Sequence, residues 1–353
     1  MNYFIIGFYA LLIGASSLAA FYQKRTTFLL LFSLTLVSFV MGIVGGESML
    51  WAVTILAGII AFSAGVSYAF REFLIVILPG ELAKEMRTAP LTAGFGLFVI
   101  FTYTISGVFA PIIAPYGEAE VISSAFAPAD ENMLLGADQL GRDMFSRIIY
   151  GARNTVGLAL LATVLAFLMG ATAGLYAATK GGKLDQLLGR IVDVIMSIPS
   201  LIFALLLLSI YGTNTITLII VMSIIYAPRV FRLARSVGGN VVVMDYIEAA
   251  KLRGEGTWYL IRKEILPNSS APLIAEFGLE FCFVFLLVAG LSFLGLGIQP
   301  PTADWGSMVR ENATLISFGE ITPLIPAGAI ALLTVAVNFV VDWMLQRSSG
   351  LKE

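Results

Sequence analysis

The chain has 353 residues, 58% of them hydrophobic and only 12% charged, and it contains no histidine. Soluble domains carry about 25% charged residues, so this composition describes a chain solvated by lipid and excludes a soluble globular enzyme. Twenty-one basic residues against 23 acidic ones give a net charge of −2, which leaves no basic surplus for nucleic acid and puts the information in where the charges fall. Without histidine there is no imidazole metal site, Ser-His-Asp triad or histidine relay, and no metal site is expected. The single Cys282 lies in an apolar run, cannot form an internal disulfide, and reads as a packing residue.

A helix needs about 20 apolar residues to cross a bilayer core. Nine candidate spans meet this in chain order: 3–21, 28–45, 50–70, 91–114, 155–178, 191–211, 214–231, 271–294 and 322–345. The expected fold is therefore all-α and polytopic. The first span lacks a basic leading segment and is followed by Gln23-Lys24-Arg25, so it reads as retained rather than as a signal peptide. The apolar stretch 73–78 is too short to cross and closes on Pro79-Gly80, which suits an interfacial or re-entrant piece.

Lysine and arginine stay cytoplasmic in short loops. With nine crossings, seventeen of the 21 basic residues fall on the side of Lys24 and Arg25, and the other side holds only Arg142, Arg147, Arg153 and Arg310. That places the N-terminus outside and the C-terminus in the cytoplasm. Two connections are far longer than the usual 4–6 or so residues: an external loop, 115–153, and a cytoplasmic segment, 229–268. The cytoplasmic segment reads as a short helix over 246–252 stopped by Gly254, then a second helix over 257–266 ending before Pro267. A hairpin of this kind under a membrane is a docking element.

Ionisable groups at membrane depth are costly and are functional candidates by default. Glu276 and Glu280 lie one turn apart on one face of the eighth span. They either offer negative charge to a cationic group in a pathway, such as a peptide N-terminus, or reach the headgroups. On the external side, the acids Glu118, Glu120, Asp130, Glu131 and Asp138 can steer a basic partner, and pairing of Arg142, Arg147 and Arg153 with Asp138 and Asp143 is the alternative use of that loop. No phosphate-binding loop occurs: Lys180-Gly181-Gly182-Lys183 has neither the spacing nor the hydroxyl.

The hairpin resembles the EAA loop of ABC-importer permeases. Glu248, Ala249, Ala250, Gly254 and Pro267 meet its spacing, while Glu264, with Ile265 next to it, departs from the apolar residue the pattern has ten after the glycine. A second resemblance is narrower. The segment Leu135-Gly136-Ala137-Asp138-Gln139-Leu140-Gly141-Arg142-Asp143, with Ser146-Arg147 and Tyr150-Gly151-Ala152-Arg153, is similar to the external loop of the second permease subunit of dipeptide, oligopeptide and nickel importers. Leu291-Ser292-Phe293-Leu294-Gly295-Leu296-Gly297-Ile298-Gln299-Pro300-Pro301, Asp304-Trp305-Gly306, Asp193 with Pro199, and Asn338 with Asp342 match the same subunit.

The resemblance covers 88–347 and implies a division of the chain. Residues 1–80 are an extra N-terminal membrane region of three spans. Residues 88–153 hold the first core helix and external loop, and 154–347 the permease domain with its coupling loop at 241–268, six core helices in all. It implies a transport subunit rather than an enzyme, in a prokaryotic plasma (inner) membrane. The partners implied are a homologous permease, two ATP-binding subunits that carry the ATP and Mg2+, and an extracytoplasmic solute-binding protein. Glu248, Ala249, Ala250, Gly254 and Pro267 would couple to the ATPases. Asp138, Gln139, Gly141, Arg142, Asp143 and Trp305 would form the docking face or external gate, and Glu276 and Glu280 part of the pathway. Di- or oligopeptides are the expected cargo, with nickel chelates, opines and oligosaccharides as alternatives. A gradient-driven secondary transporter is the rival class, and it would show intramembrane relays and inverted repeats.

Overall fold

A computed structural model describes residues 12, 14–19, 26–33, 35 and 48–348. The predicted spans 3–21 and 28–45 lie largely outside these. Among the described residues the chain is helical, and extended pairing is limited to two isolated bridges, Val121 with Arg142 and Ala137 with Asp143. Among the described residues six helices are long and apolar enough to cross a membrane, and a bent pair adds a seventh if it is one broken span rather than a re-entrant loop. Seven of the nine predicted spans therefore have a helical counterpart, and the count of nine depends on residues outside the described set.

The chain divides into two compact units at Ile100 and Phe101. In the first, α1 (Ser48–Ile77) and α2 (Gly80–Thr88) precede α3 (Leu91–Val108), which runs across the division. Residues 73–78, predicted as a separate interfacial piece, continue α1. Arg71 Nη1 donates to the Ala89 carbonyl at 3.1 Å, and Phe70 meets Phe98 edge-on at 5.5 Å.

The second unit contains α4 (Met144–Gly151), α5 (Gly157–Lys180), α6 (Gly182–Met196), α7 (Ser200–Tyr211), α8 (Thr215–Val242), α9 (Asp245–Leu252), α10 (Leu266–Phe293), α11 (Trp305–Asn312) and α12 (Leu324–Ser348). A π-helical turn over Ala152–Val156 joins α4 to α5, and another over Leu260–Ile265 leads into α10. The single span predicted at 191–211 is corrected: α6 and α7 meet at 87°. Pro199 disfavours helical backbone at Ile198, so α6 stops at Met196 and α7 starts afresh at Ser200. The turn after α7 still reaches the far side, because Thr213 and Asn214 line one cavity with Arg153 and Gln299.

The core of this unit is a parallel pair, α5 against α8. Ala159, Ala162, Ala166, Gly170, Gly174 and Ala177 form one fully buried stripe along α5. Matching positions advance in step: Ser223 donates to the Ala162 carbonyl at 3.0 Å, Gly170 faces Val230, and Gly174 faces Ala234. Without lipid-excluding hydrophobic drive, helices in a bilayer associate through close approach of small residues, and this stripe supplies it. Within the small-residue run 170–174, the two glycines make these contacts. Leu160, Val164 and Leu168 stay exposed on the opposite face, as suits contact with hydrocarbon.

At 28 residues α8 is about 42 Å long, beyond the roughly 30 Å of a hydrocarbon core. The segment predicted over 229–268 is largely helix rather than a loop: α8 continues to Val242, α9 follows, and helix resumes at Thr257.

Candidate functional site

The hairpin around α9 has two faces. Ile247 and Ala250 are 0% exposed and pack among Val241, Leu260, Ile261 and Ile265. On the other face Glu248 and Ala249 are exposed, as are Tyr246 at 42% and Leu252 at 84%. Gly254 ends the helix at φ 84° and donates to the Lys251 carbonyl at 2.9 Å. A β-carbon is strained in that conformation. Gly254→Ala is expected to destabilise the hairpin by about 1 kcal/mol, seen as faster amide hydrogen exchange across 245–256 with the α5/α8 amides unchanged.

Of the expected coupling residues, Glu248, Ala249 and Gly254 lie on the open side, whereas Ala250 is part of the seat. Pro267 does not end a helix. It follows the π-helical turn over Leu260–Ile265, inside a run that stays helical from Thr257 to Phe293. Trp258, 57% exposed, stacks on Tyr176 at 5.7 Å and widens the apolar face beside α9.

At the opposite end, residues 115–153 and 295–312 interlock into a cap. Arg142 pairs with Asp138 at 2.7 Å and with Glu311 at 3.0 Å, and Arg147 contacts the same two acids at 3.3 and 3.7 Å. Arg147 Nη1 also donates to the carbonyl of Glu118 at 2.7 Å. Two carboxylates cap helices: Asp143 accepts from the Ser146 N–H at 2.8 Å and Asp304 from the Ser307 N–H at 2.9 Å. Thr155 donates to Asp304 at 2.8 Å and accepts from the Trp305 N–H at 3.1 Å. Burial pushes the Asp304 carboxyl up, against the hydrogen bonds from Ser307 and Thr155 that favour its charged form. Glu118 joins the two loops, accepting from Asn154 at 2.9 Å and from the Ala303 N–H at 2.8 Å.

Asp138, Arg142, Asp143 and Trp305 are thus buried at 2% exposure or less. They are brought together as the frame of the cap, and the pairing of Arg142 and Arg147 with Asp138 is the use of these charges that the geometry realises. Gly141, at φ 78°, sits against the Ser123 carbonyl, and Gln139 is half-exposed. Val121, Phe126, Leu134 and Leu140 form the open apolar surface of the cap, with Glu120, Asp130 and Glu131 also exposed. Sequence reasoning missed Glu118, Asn154, Thr155 and Glu311 as members of this frame. Two arginines on a side depleted of bases were the available signal that counter-charges had to exist.

Within the spans, Glu280 is 2% exposed and its Oε2 has no hydrogen-bond partner among the described residues, while Glu276 is half-buried. The cation in electrostatic reach of both is Arg229. Its guanidinium lies over Tyr226 at 5.3 Å and Phe283 at 5.0 Å. Arg229 was counted among loop bases; it sits about 21 Å along α8 from Thr215, next to Pro228. Among the described residues no cluster of three or more Cys, Asp or Glu is placed to hold a metal ion.

Residues 170–349 match the family of binding-protein-dependent transport system inner membrane components. The di/tripeptide transport system permease protein DppC of Pseudomonas aeruginosa is 34% identical over 70% of this chain and 84% of its own length. The dipeptide transport system permease protein DppC of Alkalihalophilus pseudofirmus is 34% identical over 74% of this chain and 86% of its own. Among solved structures, an inward-facing form of the MetNI methionine ABC transporter superposes with a TM-score of 0.48 at 18% identity, covering 58% of this chain and 97% of that one. The chain belongs to the binding-protein-dependent transport system inner membrane components, the permease subunits of ABC importers.

Proposed function

We propose that this permease carries di- or oligopeptides inward and that α9 is where separate ATPase subunits take hold of it. The observation that carries the coupling role is the two-faced hairpin: a seat closed by Ile247 and Ala250 under an open apolar face of Tyr246, Leu252 and Trp258. An apolar surface displayed beyond the membrane spans marks a protein contact. The cargo class is supported by the names of the two peptide-permease relatives, each matched over most of its length.

In this reading the chain works with a homologous permease, two ATP-binding subunits holding ATP and Mg2+, and an extracytoplasmic binding protein. The hairpin end faces the cytoplasm and the cap faces outward, which sets Lys251, Arg253, Arg262 and Lys263 on the inside. The open cap surface around Leu134 and Leu140, with Asp130 and Glu131, receives the binding protein. The buried Asp138, Arg142, Asp143 and Trp305 shape that surface from beneath. Glu276, Glu280 and Arg229 form the charged stretch of the inner half of the pathway.

Leu252→Asp tests the coupling role, because Leu252 is 84% exposed and its replacement leaves the seat intact. ATPase co-purifying with the tagged permease is expected to fall at least about tenfold, together with ATP-driven dipeptide uptake, and the thermal midpoint of the permease is expected not to move. Full retention of ATPase and uptake in this variant and in Glu248→Arg would remove α9 from the coupling role. Competition of the uptake by nickel chelates, opines or oligosaccharides, but not by peptides, would reassign the cargo.

A further inference from the structure

The cap end carries a cavity of about 580 Å3 between the start of α5, the start of α8 and the loop at 298–302. Its volume falls in the range of about 300–1,000 Å3 that holds small ligands. Arg153 lines it. Of the arginines that follow one another in this region, Arg142 and Arg147 are neutralised by Asp138 and Glu311. Arg153 is exposed and has neither an ion pair nor a side-chain hydrogen bond among the described residues. No acid lines the cavity among those residues. An arginine on the outer side runs against the charge bias of membrane proteins, and here it is left without a counter-charge inside a concave site.

The remaining polar groups complete a recognisable pattern. Asn214 uses its Oδ1 to accept from the Thr217 N–H at 2.8 Å, which leaves its NH2 group as a donor. Gln299 does the reverse: its Nε2 donates to the carbonyls of Gly295 and Gly297 at 3.1 and 2.9 Å, and its carbonyl oxygen is left as an acceptor. Thr213 and Thr302 add hydroxyls, and Leu161 gives an aliphatic wall. A cation, a donor and a neighbouring acceptor on an apolar wall complement a carboxylate followed by an amide N–H and a side chain. That is the C-terminal end of a peptide. The planar guanidinium suits a carboxylate in particular, because it can donate two parallel hydrogen bonds.

We propose that this cavity is an outer cargo subsite in which Arg153 receives the terminal carboxylate of a peptide leaving the binding protein. The proposal rests on the peptide-importer reading for its cargo class. An anionic lipid headgroup shares the chemistry at this depth, so the test separates the two sources.

The complete transporter is reconstituted in liposomes, dialanine uptake is measured, and phenylglyoxal modification of Arg153 is followed by mass spectrometry with dialanine, with dialanine amide, or with neither. Dialanine is expected to protect Arg153 and its amide not to. Uptake is expected to fall about tenfold in Arg153→Gln and less in Arg153→Lys, which keeps the charge but loses the fork. Uptake that is equal in wild type and Arg153→Gln, with no protection, overturns the subsite and leaves the importer reading standing. Slow modification that is the same with and without dialanine assigns Arg153 to lipid and also overturns it. If the wild type takes up no dialanine, the peptide reading fails, and the labelling still decides the subsite: protection by dialanine but not by its amide sustains a carboxylate site, and its absence removes it.

Discussion

Replacing Arg147 by methionine is expected to destabilise the permease by about 3–5 kcal/mol, the range for breaking a buried ion pair from one side. The side chain is 1% exposed, and it faces Asp138 and Glu311 while also donating to the Glu118 and Pro301 carbonyls. Without it, two buried carboxylates share Arg142 alone. The pair of Arg235 and Asp185 provides the contrast, since its side chains are 44% and 18% exposed and solvent holds such pairs to about 0–1 kcal/mol. In thermal unfolding of the purified transporter, Arg147→Met should lower the midpoint by about 4–7 °C and Asp185→Asn hardly at all. Arg147→Met combined with Glu311→Gln restores neutrality and should recover part of the loss. Equal shifts for Arg147→Met and Asp185→Asn would show that the cap is not held by this network.

Gly170→Leu is expected to prevent close packing of α5 on α8. A β-carbon on Gly170 would meet the Val230 β-carbon at 2.7 Å and also the Ala227 carbonyl. Backbone cannot swing aside as a flexible side chain can. Overpacking of this kind costs about 1–3 kcal/mol in cores that can relax, and here, where leucine brings three more carbons, at least the upper end applies. Gly290 is the control, because nothing lies within 4 Å of its would-be β-carbon, and Gly290→Ala should be neutral or slightly stabilising. The readouts are the monodisperse fraction on size-exclusion chromatography and the unfolding midpoint. Matching values for Gly170→Leu and Gly290→Ala would mean that the two helices are not in contact at this register.

The spans were legible because hydrophobic length is a local property: 322–345 was predicted and α12 runs Leu324–Ser348. Their ends were not. Arg229, Arg232 and Arg235 looked like loop residues, although a helix can carry charge wherever it outgrows the bilayer or finds an aromatic cradle, as Arg229 does on Tyr226 and Phe283. The hairpin was readable from the glycine at 254, whose backbone sign matters locally. Which of its residues face inward required knowing that Ile265 and Leu260 fold back against Ile247. The cap was the least legible part. Arg142 and Glu311 meet at 3.0 Å across 169 residues of sequence, and neither periodicity nor spacing encodes such a meeting. The docking residues carried over by resemblance therefore included buried Trp305, while Arg153, in the other segment of the cap, drew no separate notice.

The parallel grip of α5 on α8 has a mechanical consequence. A rod held by a row of small residues resists bending, so under the proposed coupling a force delivered at α9, which follows the end of α8, would travel along α8 largely as rigid displacement. One joint interrupts the rod, at Pro228, where a missing N–H leaves one rung out of the ladder. That joint lies beside Arg229 and level with Glu280, so the bundle is most compliant at the depth where its buried charges sit.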